Sequence, residues 1–396
     1  MALRRLSRCW LGWALLADSL PIYPLYALLF ADAGLSEAKI STLFLLWSAV
    51  GIVAEVPTGV LADRFSRRAA LAFSTVLQAA GYVLWIVVPG YGAFAAGFVL
   101  WGLGGSLGSG AMEALLHDGL AALDAEDHYP QVYARVQATR LVSQLPAAGG
   151  AAVLFATGGY ALAGWVSVAG CLGAACVAWR LPEGPPVVDP DVPELSYSAT
   201  LRIGLAALGR ERVLLLSAIA VALLGSLDGI EEYFNLLAHR WGVPTAAIPI
   251  ALLAIPALGA AGAAFGGRVS SVRPRTVGVL LAAAAAVFAS ACVAGRPAGV
   301  AGIALAYGLY QVVNVVTGAR LQAAIAGPAR ATVTSVASLG VDVCTIGLYG
   351  AWALGQRPGL AAAALVMAAA LPALTRSYQS EGRPPSLEPK KKSPLS

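Results

Sequence analysis

Blocks of apolar residues, each close to the thickness of a membrane in length, follow one another along almost the whole chain. A helix needs roughly 20 apolar residues to cross a hydrocarbon core. The blocks fall near residues 10–30, 40–62, 69–88, 92–116, 132–157, 159–179, 212–238, 243–266, 276–294, 298–326, 331–354 and 358–374. This pattern predicts twelve transmembrane helices.

One interior segment, residues 181–211, is long, polar and rich in proline. Proline lacks a backbone donor and restricts φ, so this segment is not expected to form one helix. It separates a six-helix half over residues 1–180 from a second over residues 212–375, and a basic tail covers 376–396. The predicted fold is an all-α integral membrane protein with twelve transmembrane helices in two six-helix halves.

The composition agrees with a membrane protein. Hydrophobic residues make up 58% of the chain and charged residues 12%, whereas soluble domains carry about 25% charged residues; the mean hydropathy is +0.74. Basic residues lie in short loops and tails rather than on one face, which favours membrane topology over nucleic-acid binding. The cysteines form no metal-ligand pattern and no nucleotide signature is present, so we predict neither a metal nor a cofactor.

Basic residues also predict the orientation. With the N-terminus in the cytoplasm, only Lys39, Arg240, Arg296 and Arg357 fall on the outer side, four of the 26 basic residues. Cytoplasmic loops of membrane proteins carry an excess of lysine and arginine. We therefore expect a multi-pass protein of the cell membrane with both termini in the cytoplasm.

Several charged residues lie inside the apolar blocks, where each costs on the order of 2.5–3.5 kcal/mol unless it has a partner, water or a function. Counted along their helices, Asp18, Asp228 and Asp342 come close to the middle of the membrane. We interpret these three as candidate proton-coupling residues. Glu113 and Arg140 lie at similar depth on consecutive helices and form a candidate ion pair, whose role is either structural or functional.

The third, sixth, ninth and twelfth blocks contain no charged residue, and we interpret them as lipid-facing helices around a polar interior. Candidates for lining a substrate cavity are Tyr23, Tyr26, Glu113, Arg140, Glu231, Glu232, Asn235, Asn314 and Arg320. Asp228, Glu231 and Glu232 form an acidic cluster that would attract cations. Simple hydration near the outer face explains Glu231 and Glu232 equally well.

The charged turn between the second and third blocks reads Gly-Val-Leu-Ala-Asp-Arg-Phe-Ser-Arg-Arg over residues 59–68. It resembles the Gly-x-Leu-x-Asp-Arg/Lys-x-Gly-Arg/Lys-Arg/Lys signature of the major facilitator superfamily, with Ser66 in place of the second glycine. The resemblance implies that Asp63 latches the two halves by contact with the start of the eleventh helix. The implied gating loop consists of Gly59, Asp63, Arg64, Arg67 and Arg68, and its arginines are candidates for contact with lipid phosphates.

A second motif lies on the fifth block. Residues 146–150, Pro-Ala-Ala-Gly-Gly, resemble the end of the Pro-x-x-Gly-Gly motif of the superfamily's drug/proton antiporters, with Leu145 where a glycine precedes the proline. The resemblance implies export. A kink used only for close helix packing accounts for the motif equally well.

These features predict a secondary active transporter rather than an enzyme, since no Ser/His/Asp set, zinc motif or ATP-binding signature is present. We expect export of a small amphipathic molecule in exchange for protons, with the two halves rocking around a central site. In one alternative, Arg140 and Arg320 hold a small anionic metabolite during proton-coupled uptake. In another, a transport-inactive membrane receptor binds its ligand without any flux.

Overall fold

The described part of the chain is almost entirely helical and contains no strand. The computed structural model describes residues 2–64, 66–183, 206, 208–209, 211–268, 273–325, 330–355, 359–360, 362–367 and 370. The predicted linker over 181–211 lies mostly outside these residues. The predicted tail over 376–396 lies entirely outside them.

Fourteen α-helices are defined by their bounds within this described part. They are α1 (Ala2–Asp18), α2 (Tyr26–Asp32), α3 (Glu37–Arg64), α4 (Arg67–Val87), α5 (Tyr91–Ala121), α6 (Tyr129–Val142), α7 (Gln144–Ala178), α8 (Arg212–Ser226), α9 (Phe234–Arg240), α10 (Ile248–Leu252), α11 (Ala254–Arg268), α12 (Pro274–Ala294), α13 (Gly299–Ala324) and α14 (Arg330–Ala353). Short 3₁₀ turns cover Glu126–His128, Leu227–Tyr233 and Thr245–Ala247.

The block predicted over residues 10–30 is two helices rather than one, because α1 ends at Asp18 and α2 begins at Tyr26. Pro21 lies in the bend, and proline interrupts a helix because it has no N–H to donate. Within the bend, the backbone N–H of Ile22 still has a hydrogen-bond partner, because it donates to Ser167 Oγ at 2.9 Å.

The seventh block, predicted over residues 212–238, is also interrupted. The α8 helix gives way to the 3₁₀ turn Leu227–Tyr233 before α9 begins. This turn carries the whole acidic cluster. The boundary predicted between the fifth and sixth blocks coincides with a break inside α7, where Gly159 has a φ of +63° that glycine adopts readily.

Nine stretches of the described helices are long and apolar enough to cross a membrane. Two of the twelve predicted blocks are not among them, since 10–30 is divided and 358–374 is described only in part. The fifth and sixth blocks are counted together, because both lie in the stretch Glu126–Ala178.

We divide the described helices by their place in the chain into the N-terminal segment (described residues 2–183) and the C-terminal segment (described residues 211–370). Helices α3 and α4 pack on α5, and α11 and α12 pack on α13. Glycine permits the closest approaches: a Cβ on Gly262 would lie 2.1 Å from the carbonyl oxygen of Gly308. Small residues at helix crossings are typical of membrane bundles. The segments meet where α3 contacts α14, α2 contacts α9 and α7 contacts α10.

The two ends of the bundle differ in whether buried apolar side chains of the two segments pack against each other. We call the end at which Glu37 meets Arg240 the upper end, and the end at which Arg67 meets Asp118 the lower end. An apolar cluster that includes Phe44 joins both segments, and within the C-terminal segment it extends as far as Val277. Toward the lower end, one further cluster is confined to the N-terminal segment, and another joins residues of the C-terminal segment to Leu208.

Candidate functional site

Among the described residues, three polar contacts join the two segments at the upper end. The Tyr26 hydroxyl donates to a carboxylate oxygen of Glu232, which is 8% exposed. The Tyr233 hydroxyl donates to Ser41 Oγ at 2.8 Å. Arg240 forms an ion pair with Glu37. Each contact has one partner in each segment, so the upper end separates only if all three break.

Aromatic rings fill the space between these polar contacts. The Phe44 ring lies 5.6 Å from both Tyr233 and Tyr349 and 6.1 Å from Tyr26, measured between ring centroids. Tyr233 also stacks on Trp352 at 4.0 Å. Phe44 therefore contacts aromatic side chains of both segments, and its own side chain is fully buried.

The acidic cluster predicted on the seventh block is divided by its surroundings. Asp228 accepts hydrogen bonds from Tyr307 at 3.1 Å and Gln311 at 3.3 Å, both on α13. Glu232 is buried against Tyr26, whereas the Glu231 side chain is exposed. The three carboxyl groups therefore face different partners, and hydration alone does not account for Glu232.

A polar cavity of about 230 Å³ opens inside the N-terminal segment. Its walls are formed by Trp13, Ala17, Asp18, Leu71, Ser74, Thr75, Gln78, Trp101, Gly104, Gly105, Gly108, Ser109, Met112 and Arg140. Asp18 and Arg140 are the charged residues among these. Arg140 Nε donates to Asp18 Oδ2 at 2.9 Å and Nη2 donates to Oδ1 at 3.3 Å.

This pairing corrects the predicted partner of Arg140. The sequence suggested a pair between Arg140 and Glu113, but Glu113 accepts from the Tyr133 hydroxyl at 2.9 Å instead. Asp18 ends α1, which packs on α6, and α6 carries Arg140. Packing between these two helices brings together charges that lie 122 positions apart in the chain.

The third block was predicted to be a lipid-facing helix, and the structure shows that one face of this helix also lines the cavity. Ser74, Thr75 and Gln78 lie on α4 and line the cavity. The opposite face of α4 exposes Phe73 and Val76. The sequence does contain a signal for this face, the short run of polar residues within the apolar block. Because these residues are uncharged, a search for buried charged residues did not find them.

Other predicted cavity residues lie farther apart. Tyr23 is 40% exposed and its ring contacts Tyr26 and Trp101. Asp342 is exposed on α14, and Asn314 and Arg320 are partly buried on α13. Asn235 on α9 has a buried side-chain oxygen with no hydrogen-bond donor among the described residues. The structure thus brings Asp18 and Arg140 together, and Tyr26 and Glu232 together, but does not place all candidates in one pocket.

Comparisons with known proteins identify the family of this chain. A family model described as Major Facilitator Superfamily matches residues 10–347. The chain belongs to this superfamily. It is therefore a multi-pass membrane protein of a transporter family, as the charged turn predicted. A search of curated proteins finds no significant match.

Solved structures of other transporters share the fold. The nucleoside transporter NupG aligns with a TM-score of 0.72 and 14% identity over 96% of this chain and 98% of NupG. The POT family transporter PepTSo aligns with a TM-score of 0.70 and 14% identity, over 95% of this chain and 99% of PepTSo. A bacterial homologue of the iron transporter ferroportin, in an inward-facing state, aligns with a TM-score of 0.67 and 18% identity, over 97% of this chain and 100% of the homologue. At these identities the likeness establishes the fold alone.

The superfamily signature forms a network at the lower end. The Ser66 side chain accepts a hydrogen bond from the Ala69 N–H and caps the N-terminus of α4. This cap explains why serine is compatible with the position at which the family pattern has glycine. Arg67 pairs with the buried Asp118 at 2.5 Å. Arg68 pairs with Glu183 at 3.7 Å, and its guanidinium lies 5.8 Å from the Trp179 ring centroid.

Asp118 and Glu183 were not predicted as site residues, because each lies in a short polar stretch beside a longer charged segment. The side chains of Asp63 and Arg64, and residues 326–329 before α14, lie outside the described residues. Gly59 has only its helical backbone described, within α3. The latch between Asp63 and the start of α14 therefore stays a prediction.

Proposed function

We propose that this protein is a secondary active transporter that exports a small amphipathic compound in exchange for protons. The observation that supports this proposal is the difference between the two ends of the bundle. At the upper end, hydrogen bonds join the two segments, whereas at the lower end the buried apolar side chains form separate clusters. A carrier that exposes its site to one side at a time needs such a reversible seal. An enzyme or a static receptor needs no seal between its two segments.

The proposed architecture has twelve membrane-crossing helices in two halves. Residues 2–32 form the first crossing despite the bend, and the described helical residues 359–360, 362–367 and 370 belong to the twelfth. The two halves correspond to the N-terminal and C-terminal segments. Rocking of these halves would open the upper end while bringing the two lower clusters together.

The proposed orientation places the lower end and both termini in the cytoplasm. The lower end carries Arg67, Arg68, Arg268 and Arg273, whereas Lys39, Arg240 and Arg296 lie toward the upper end. This distribution follows the positive-inside rule. The described conformation is then open toward the cytoplasm, the side from which an exporter loads its substrate.

Proton coupling is proposed for Asp18, Asp228 and Asp342, with Glu232 added by its position between the segments. A charged carboxylate inside a membrane is costly unless a proton, a cation or a strong donor compensates it. Opening the upper end would remove the Tyr26 donor from Glu232 and expose the carboxylate to the outer solution. Uptake of a proton there would compensate the lost hydrogen bond. Asp63 is proposed to latch the outward-open state.

Proton movement in proteoliposomes tests this function. A pH gradient is imposed, and a panel of lipophilic amines, amphoteric compounds and organic anions is added to the wild type and to Asp18→Asn, Asp228→Asn, Glu232→Gln and Asp342→Asn variants. Asp127→Asn, in an exposed 3₁₀ turn, is the matched control. We expect substrate-triggered proton flux that Asp127→Asn retains and at least one membrane variant abolishes. Ligand binding without proton flux for every compound would refute proton-coupled export.

A further inference from the structure

We propose that the cavity beside Asp18 and Arg140 binds a zwitterionic molecule with an apolar substituent. The ammonium group of this molecule replaces Arg140 at the Asp18 carboxylate, and its anionic group replaces Asp18 at the Arg140 guanidinium. The inference rests on the proposed transport function, because it names the substrate class of the same protein.

The charge balance of the cavity carries the argument. Among the described lining residues, Asp18 and Arg140 are the charged ones, and they compensate each other. A cation bound to Asp18 would leave Arg140 without its partner, and an anion bound to Arg140 would leave Asp18 without one. An uncompensated charge in a membrane interior is unfavourable. A zwitterion replaces both partners at once and keeps the cavity neutral.

The ion pair is also accessible to a solute. The side chains of Arg140 and Asp18 are 41% and 26% exposed, and both line the cavity. The Arg67–Asp118 pair at the lower end is 18% and 3% exposed, as expected of a pair that holds helices together. Arg140 already presents two N–H groups to a carboxylate, the geometry with which arginine recognises carboxylate ligands.

The remaining walls fit the apolar substituent. Trp13 and Trp101 contribute indole rings, and Trp101 is held by stacking on Trp47 at 5.2 Å between centroids. Thr75 and Gln78 add neutral hydrogen-bonding groups. The volume of about 230 Å³ is below the roughly 300–1,000 Å³ of sites for drug-sized ligands. A single aromatic ring with a short charged chain suits such a space.

Binding of four related probes to the full-length protein tests the proposal. The probes share a phenyl ring: phenylalanine (zwitterion), 2-phenylethylamine (cation), 3-phenylpropanoate (anion) and 3-phenylpropanamide (neutral). Calorimetry in phosphatidylglycerol nanodiscs avoids competition from zwitterionic lipid headgroups. We expect phenylalanine to bind about tenfold or more tightly than each of the other three, the free-energy scale of one lost charged contact.

Variants distinguish this site from other sites. Asp18→Asn and Arg140→Gln should each remove the preference for phenylalanine, and the reversed pair Asp18→Arg/Arg140→Asp should restore part of it. Glu37→Gln/Arg240→Gln, which removes an ion pair outside the cavity, should leave the preference unchanged. Thermal unfolding of each variant identifies any that fail to fold. If a single variant fails to fold, the reversed pair Asp18→Arg/Arg140→Asp is used to test the proposal instead.

The outcomes separate this inference from the proposed function. Equal binding of phenylalanine and the neutral amide, tighter binding of the amine, or no binding of any probe would overturn the zwitterion site. Proton flux driven by another compound would leave the transporter proposal intact in those cases. Tight phenylalanine binding that depends on Asp18 and Arg140, without any flux, would support the site and contradict transport.

Discussion

The upper and lower ends of this protein are built from different kinds of contact. At the lower end, Arg67–Asp118 and Arg68–Glu183 join parts of the N-terminal segment to each other. At the upper end, two hydrogen bonds, a partly exposed ion pair between Arg240 and Glu37, and aromatic rings join that segment to the C-terminal one. Ion pairs at the lower end thus stabilise one segment, whereas the contacts between the segments can break without leaving several buried charges uncompensated.

This difference explains how one bundle can be rigid within its segments and mobile between them. Breaking a buried ion pair leaves an uncompensated charge and costs about 3–5 kcal/mol. Breaking one hydrogen bond to a charged group costs about 1.5–3 kcal/mol. A proton at Glu232 can offset the loss of the Tyr26 hydrogen bond, which is one of the three polar contacts that must break before the segments separate.

A single thiol reports on the upper end in every test below. Ser41 is fully buried between the segments and accepts a hydrogen bond from Tyr233, so Ser41→Cys replaces that contact by a weaker thiol contact, and each variant is compared with a Ser41→Cys parent. The thiol of this parent should react slowly with a membrane-impermeant maleimide added from the upper side. The five native cysteines are first replaced by alanine or serine. The labelling rate then measures how often the upper end opens.

The largest effect is expected for Phe44→Ala compared with Phe94→Ala. Both rings are fully buried, but Phe94 contacts Phe30 of its own segment whereas Phe44 also contacts Tyr233 and Tyr349. Truncation of a buried phenylalanine costs about 3–5 kcal/mol, so both variants should lose thermal stability in detergent. Only Phe44→Ala should accelerate labelling. Equal acceleration by Phe94→Ala would contradict a seal made between the segments.

A loss of similar size, without opening, is expected for Arg67→Ala. Asp118, 3% exposed, loses the arginine that compensates its charge, which should destabilise the protein by about 3 kcal/mol or more. The measurement is the unfolding temperature together with the labelling rate, and the double variant Arg67→Ala/Asp118→Asn should recover part of the stability. Faster labelling in Arg67→Ala would show that the lower network also controls the upper end.

An intermediate effect is expected for Tyr26→Phe, which removes the hydroxyl group that donates a hydrogen bond to Glu232. A hydrogen bond to a charged group contributes about 1.5–3 kcal/mol, so labelling should accelerate about tenfold or more. Tyr160→Phe is the control, because its hydroxyl donates to Asp32 at 2.6 Å within the N-terminal segment. If the two variants label at the same rate, the Tyr26–Glu232 contact does not hold the segments together.

The smallest effect is expected for Arg240→Gln. The Arg240 side chain is 44% exposed, and exposed ion pairs contribute about 0.2–1 kcal/mol. Labelling should therefore rise by less than about fivefold. Raising the salt concentration should have a similar small effect on the wild type and none on Arg240→Gln. A larger change than that of Tyr26→Phe would place the main seal at the ion pair.

Much of the fold follows from local pattern, and the parts that failed share one cause. Pro21 and the acidic run after Leu227 marked where helices are interrupted, but a count of apolar residues treats each block as continuous. Gly158 lies between the fifth and sixth blocks and Gly159 is the first residue of the sixth, so the same count placed that break correctly. Gln78 was missed because a neutral amide gives little contrast within an apolar block.

The sequence by itself determined the membrane class, the positions of most helices and the family. Each of these depends on spacing along the chain, which apolar length and motif order record directly. Only the tertiary structure decided that Arg140 pairs with Asp18 rather than Glu113, and that Tyr26 meets Glu232 across 206 positions. Such partners depend on how each helix is rotated and which helices touch. Both are set by packing across the whole bundle, which no local period specifies.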